Sequence, residues 1–221
     1  MIEQEVYKAI KPLLEGYTEG LYWDFKKTLT DVSEITKDIL AFSNSNYEGD
    51  SYIIVGVSES KSKDELTRIS LSSEDRKRLN TDANYLYLPG KWNVHGLNAD
   101  DIEKMKQFSA KLTEQLKSCM LISVPKCEFV PVCIKAKTLW LYVIVVKKTQ
   151  GVFVSKKDLF AMYDNNKVVV KQGVLYVRVA DTTWEAKTEV ASATEHIRIW
   201  KKYIDWLESQ NDLPQGNGQN V

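Results

Sequence analysis

Cysteine and histidine are scarce in these 221 residues, and each scarcity removes a class of protein. Three cysteines (Cys119, Cys127, Cys133) are an odd number, and they lack the close paired spacing of a zinc site. They read as reduced core thiols, which predicts a cytoplasmic protein. Of the two histidines, His95 is expected in a loop and His196 on the outer side of the last helix. Neither suggests catalysis, and no Cys–His pairing is indicated. Long apolar runs are also missing: the strongest, Leu139 to Val146, falls far short of the roughly 20 residues that span a bilayer. The N-terminal MIEQEVYKAIKPLLE is amphipathic and carries acids, unlike a signal peptide. A Gly-rich P-loop is absent, which argues against ATP hydrolysis. Net charge is missing too. Thirty basic residues balance thirty acidic ones, so the surface as a whole is no polyanion trap, although a local basic face remains open.

What is present is an ordinary globular composition, 43% hydrophobic and 27% charged, ample for a full core. Ile2, Val6, Ile10 and Leu13 recur at helical spacing over residues 2–15. LYWDFKK (21–27) alternates like a strand. VSEITKDILAFSNS follows as a helix with Ile35, Ile39 and Phe42 on one face and Asp31 or Ser33 as N-cap. SYIIVGVS reads as an unbroken central strand. Residues 59–96 are weaker in pattern, with a short helix at SSEDRKRL and an irregular stretch through LYLPGKW. Asn98 to Met120 reads as a long helix capped by Asn98 or Asp100, with Ile102, Met105, Phe108, Leu112 and Leu116 inward. Strands are expected at KCEFVPVCIKA and TLWLYVIVVKK. KVVVKQGVLYVRVA reads as a third, itself a hairpin turning at Gln172-Gly173, after an insertion at 163–167. The last helix is expected over 188–209, its stripe made of Val190, Ala193, Ile197, Trp200, Ile204 and Leu207. The whole predicts a single-domain α+β fold, a mixed β-sheet covered by helices, over residues 1–210. Residues 211–221 read as a disordered tail.

Within that order one stretch asks for a chemical explanation. EGLYWDFK places Glu19 five positions before Asp24, with Lys26 two residues further on. In a regular strand residues five apart face opposite ways. The carboxylates converge only if Glu19 lies in the entry turn, which Gly20 allows. Lys26 then projects from the same face as Asp24, and Glu59, past Gly56-Val57, could emerge at the same sheet edge. Three gathered carboxylates would repel one another unless a cation neutralises them, and hard oxygen ligands suit Mg²⁺ or Mn²⁺. Spacing alone equally allows an ordinary surface ion pair between Asp24 and Lys26, with Glu19 closing a turn.

These residues carry a resemblance. The acid-x4-acid-Phe-Lys pattern (Glu19, Asp24, Phe25, Lys26) precedes a helix ending in Ala41-Phe-Ser-Asn-Ser45. A strand then closes in Gly56-Val57 with Glu59 just after, and downstream come YVRVADTTWEA (176–186) and a helix expected to begin at Glu189. Together they resemble the Schlafen AlbA-like domain over roughly residues 15–190, a domain found in animal Schlafen proteins and in bacterial and phage-related regulators and defence proteins. The resemblance implies a nucleic-acid-binding domain, of RNA more than DNA. In some members it is an endoribonuclease that cleaves structured RNA such as tRNA with three acids and a divalent metal. It assigns catalytic and metal-ligating roles to Glu19, Asp24 and Glu59. Three departures stand out: Asp24 replaces the usual Glu, Ser58 stands at an often acidic position, and Glu48-Gly49-Asp50 replaces Gly-Gly.

Lys26 would hold the phosphate as a point charge. Lys27, Lys147, Lys148, Lys156, Lys157 and Arg178 are candidates for a phosphate-binding groove, which gives affinity without sequence readout. Lysines that guard sheet edges are the alternative. Tyr22, Trp23, Trp140 and Tyr176 read as core aromatics ahead of base-stacking surfaces. Three readings follow: a metal-dependent endoribonuclease using Mg²⁺ or Mn²⁺, a non-catalytic DNA- or RNA-binding regulatory module, and an oligomerisation or protein-interaction domain. Trp200 and Trp206 on the last helix motivate the third, with a homodimer as one form. A membrane partner is not expected.

Overall fold

The computed structural model describes residues 2–14, 19–59, 92–94, 96–135, 139–180 and 186–211. The expected helix at SSEDRKRL, the LYLPGKW stretch, His95, residues 181–185 and the tail from 212 onward lie outside the described residues. Helix α1 (Ile2–Leu14) leads into strand β1 (Trp23–Lys26), helix α2 (Val32–Ser43) and strands β2 (Ser51–Val55) and β3 (Val57–Glu59). Strand β4 (Trp92–Val94) precedes helix α3 (Ala99–Cys119). Strands β5 (Cys127–Lys135), β6 (Leu139–Val146), β7 (Leu159–Ala161), β8 (Asp164–Val170), β9 (Tyr176–Ala180) and β10 (Ala186–Val190) come next, then helix α4 (Ala193–Asn211). The fold is α+β, as expected. Among the described residues no helix is long and apolar enough to cross a membrane.

A four-stranded mixed sheet in the order β1-β2-β6-β5 forms the centre. Strand β1 pairs in parallel with β2, so their connection must cross over, and α2 supplies that crossover. Apart from Ser51 at the start of β2, both central strands are apolar throughout because each face is covered. Ile53 and Val55 of β2, with Tyr142, Ile144 and Val146 of β6, meet Ile35, Ile39 and Phe42 of α2 and Leu112 and Leu116 of α3. Ile54, Leu141, Val143 and Val145 face the other way, onto Val6, Ile10, Leu13 and Leu14 of α1. Strand β1 has the same two-sidedness: Phe25 joins the α1 side, so its neighbour Asp24 is turned toward α2.

The caps follow from the sequence. Asp31 accepts from the amides of Ser33 (2.8 Å) and Glu34 (3.3 Å) at the start of α2. Asn98 and Asp101 form a reciprocal capping box on α3, and the five expected inward residues of that helix are buried. The apolar run SYIIVGVS is not one strand. Gly56 adopts φ 101° and ends β2, and the chain turns into a separate ribbon with β4. A side chain there would be strained twice, by the positive φ and by a Cβ 3.1 Å from Leu141 Cδ2.

Three expectations about the C-terminal third are corrected. No hairpin turns at Gln172-Gly173: β8 pairs with β7, and β9 pairs with β10. The last helix begins at Ala193, because residues 186–190, Glu189 included, extend along β9 as β10. Its predicted stripe also faces outward. Ile197 is 70% exposed, and Trp200, Ile204 and Leu207 are exposed as well, while Ile199 is the buried anchor with Tyr203 packed beside it. Of the cysteines, Cys119 is buried, but Cys127 and Cys133 are half-buried on the edge strand β5.

Candidate functional site

The site grows from the edge strand β1. Gly20 bridges to Trp23 in a tight turn, its amide donating to the Trp23 carbonyl (3.2 Å). A Cβ at Gly20 would overlap the indole of Trp23. The turn places Glu19 outside the strand and folds it back, so that Glu19 Oε1 accepts from the Phe25 amide at 2.9 Å. Convergence therefore occurs as expected: Glu19 and Asp24 come to the same point of the structure.

Both acids meet one guanidinium. Arg178 Nη2 lies 2.9 Å from Asp24 Oδ1 and 3.5 Å from Glu19 Oε2. Alternation on β9 turns Tyr176 and Arg178 toward α2 and leaves Val177 in the cluster with Ile199 of α4. Arg178 also stands 5.2 Å over the ring of Phe42 and donates to the carbonyls of Gly20 and Trp23 (both 3.4 Å). Lys26, from the same face of β1 as Asp24, pairs with Asp24 and with Asp38 of α2 (3.2 Å). Thr188, opposite Arg178 in the β9–β10 ribbon, donates to Asp38 Oδ1 at 3.0 Å.

Asp38 escaped the sequence reading, which followed only the apolar face of α2. Its signal was present: Asp38 stands one turn after Ile35 and one turn before Phe42, on the side of the helix that is otherwise packed. The surface ion pair proved half right. Asp24 does pair with Lys26, but Asp24 is only 2% exposed. Glu19 and Lys26, with 23% and 31% of their side chains exposed, are the members that solvent and ligands can reach.

Three carboxyls face two cations, and the titration behaviour follows from that imbalance. Burial would raise the Asp24 carboxyl, but Lys26 and Arg178 outweigh it and hold it below the usual range. Burial alone would lower Lys26; Asp38 and Asp24 reverse this and hold it above the usual lysine range. Asp38 is raised by burial, with the charge of Asp24 adding to it. Glu19 is pushed up to about 7, by burial first and the Asp24 charge second. The surplus negative charge is thus relieved near neutrality by a proton on an acid that solvent can reach.

A stability prediction follows. A carboxyl whose folded pKa lies above its unfolded value binds the extra proton only when folded. Its contribution is complete below about pH 4.5 and disappears as pH rises through about 7. Glu19→Gln keeps an acceptor for the Phe25 amide but cannot titrate. Urea unfolding across this window should show wild-type stability falling by about 1–3 kcal/mol, with most of that slope gone in the variant. Parallel slopes would contradict the assignment.

The other candidate residues disperse. Lys27, Lys156 and Lys157 are exposed. Lys147 pairs with Asp50 (3.0 Å) and Glu128 (3.2 Å), and Lys148 donates to the Ser45 carbonyl (2.9 Å). Tyr176 is buried, and Tyr22, Trp23 and Trp140 pack against the core clusters, in line with core roles. Tyr22 also stacks on Tyr47, with centroids 4.2 Å apart. Glu59 ends β3 opposite Trp92, and its side chain lies outside the described residues. Since Lys26 and Arg178 already occupy Glu19, Asp24 and Asp38, the described donor set does not fit a divalent ion. Among the described residues no group of three or more His, Cys, Asp or Glu side chains is placed to hold one.

Comparison with known families gives one match. The model of the family described as Schlafen, AlbA_2 covers residues 19–187, from the first acid of the cluster through the β9–β10 ribbon. No curated protein matches the sequence.

Proposed function

Because the chain belongs to the Schlafen, AlbA_2 family, a family of nucleic-acid-binding domains, we propose that it is an endoribonuclease that cleaves structured RNA such as tRNA at the Glu19–Asp24–Lys26 cluster. One observation carries this reading: two acids, one from the entry turn and one from the strand it leads into, converge on one guanidinium, and the more exposed of them titrates near neutrality. A carboxylate of that pKa is suited to take a proton at working pH. Glu19 would accept the proton of a ribose 2′-hydroxyl as that oxygen bonds to phosphorus. The P–O5′ bond breaks, and the departing oxygen takes a proton from water. Lys26 would hold the phosphate oxygens, since Asp24 and Asp38 keep its ammonium charged and pointed into the cluster. Asp24, Asp38 and Arg178 are too buried to touch RNA and act as positioning residues.

Incubation of wild type and Glu19→Gln with tRNA, in EDTA and in Mn²⁺, tests this. Cleavage in EDTA that falls by about 10²-fold or more in the variant supports Glu19 as the base. Cleavage that EDTA abolishes and Mn²⁺ restores assigns the step instead to a divalent ion held with the help of Glu59. Identical RNA patterns with and without protein reject cleavage. Salt-sensitive RNA binding would then leave the non-catalytic module.

The outward apolar face of α4 supports a homodimer as the second reading of partners. Ile197→Glu/Ile204→Glu should convert dimer mass to monomer mass in light scattering. A wild type that is monomeric at all concentrations removes this reading.

A further inference from the structure

A second charged cluster lies where α2 ends, in a recess of about 20 Å³ between that end, the segment after β6 and α4. Three cations line it. Lys148 donates to the Ser45 carbonyl (2.9 Å), Arg198 Nη2 to the Asn44 carbonyl (3.1 Å), and Lys202 to Glu48 (2.7 Å). Among the described residues lining the recess, Lys202 is the one in ion-pair contact with a carboxylate, Glu48, which is itself 71% exposed. Lys148 and Arg198 spend one donor each on neutral carbonyls; Glu48, and for Arg198 also Glu195, offset only part of their charge, and burial outweighs them.

Three polar atoms at the same place are buried and, among the described residues, have no hydrogen-bond partner: Ser43 Oγ, Ser45 Oγ and Arg198 Nε. An unmade hydrogen bond on a buried donor costs about 1–3 kcal/mol, so three in one recess call for a shared acceptor. A single water could satisfy the geometry, but it would leave the charge. Lys148 is held below the usual lysine range by burial and then by Lys202 and Arg198, and Arg198 is lowered by burial. An oxyanion answers both needs, because its oxygens accept several charge-assisted bonds at once. The recess admits roughly one oxygen-sized sphere, so one oxygen would enter and the others would sit at the mouth near Lys202.

We infer that this recess is a phosphoryl-oxyanion site, with Ser43, Ser45, Lys148 and Arg198 contacting the entering oxygen. It uses none of the acids of the cleavage cluster. The ligand could be free phosphate, the 5′-phosphate of a nucleic acid or a backbone phosphate, and the experiment separates them.

Inorganic phosphate is titrated against chloride at matched ionic strength, with the thermal unfolding midpoint as readout. Wild type should rise specifically in phosphate. Lys148→Met and Ser45→Ala should each bind phosphate at least about tenfold more weakly, the loss of one charge-assisted or buried bond. Both variants leave Arg198 on the Asn44 carbonyl, and their midpoints in chloride report folding separately. A midpoint equal in phosphate and chloride, or variants that bind like wild type, overturns the site. Oligonucleotides with and without a 5′-phosphate complete the test. A preference for the phosphorylated end that Lys148→Met removes identifies the terminal group. Equal binding weakened by the variant identifies a backbone phosphate, and binding of both left unchanged leaves free phosphate. Glu19→Gln should bind phosphate normally, so failure of cleavage and failure of this site are distinguishable.

Discussion

Replacing Arg178 by alanine is expected to cost about 3–5 kcal/mol of folding stability, because it strands a buried carboxylate. Asp24 would keep Lys26 but lose its 2.9 Å partner, and Glu19 would face it without the intervening positive charge. The contact of the guanidinium with the Phe42 ring is lost as well, worth about 1–2 kcal/mol when desolvated. Arg178→Lys should recover only part of the loss. A single ammonium cannot span the Gly20 and Trp23 carbonyls and both acids as the planar fork does. Urea midpoints at constant slope would measure this. The double variant Asp24→Leu/Arg178→Leu should lose much less than the sum of its singles, since no charge remains buried alone. Additive losses would mean that the two side chains do not depend on each other.

The second large effect is expected at Asn44, the C-cap of α2 in the Ala-Phe-Ser-Asn-Ser segment. Its amide donates to the carbonyls of Phe153 (2.9 Å) and Tyr176 (3.1 Å), and its oxygen accepts from the Phe153 amide (3.1 Å). Asn44 thus ties the end of α2 to β9 and to the segment after β6, entirely inside the protein. Asn44→Ala leaves three buried backbone groups unpaired and should cost about 3–5 kcal/mol. Asn44→Asp should fare no better: it keeps the acceptor, loses both donated bonds and buries a charge. A loss under about 1 kcal/mol in the alanine variant would show that water replaces the side chain without penalty. Because β9 carries Arg178, loosening this tie should also raise hydrogen exchange in β9. The Asn of the family-like segment is therefore explained by architecture, with no need of a ligand.

The contrast between α3 and α4 shows how far periodicity reaches. Both have a stripe of apolar residues at helical steps. For α3 the stripe faces the sheet, since Leu112 and Leu116 meet β2 and β6. For α4 the stripe faces solvent, and the helix is anchored through Ile199 and Tyr203 on the flank of the stripe. A repeat tells which residues share a face; what covers that face depends on neighbours far along the chain. Strand β10 was misread for a related reason. AKTEV has no strong local preference, and pairing with β9 makes it a strand.

By itself the sequence determined the local matters: where α1, α2 and α3 run, the N-caps of α2 and α3 to within two candidates each, the apolar central strands, and the turn that lets Glu19 and Asp24 meet. All of these depend on contacts within a few residues, where spacing and side-chain chemistry decide the backbone. Only the tertiary structure decided what the acids hold. Asp38 comes from the crossover helix, and Arg178 comes from 154 positions beyond Asp24. At that separation a local pattern carries no information. In a buried setting the nearest cation, rather than the count of acids, decides how the charge is balanced.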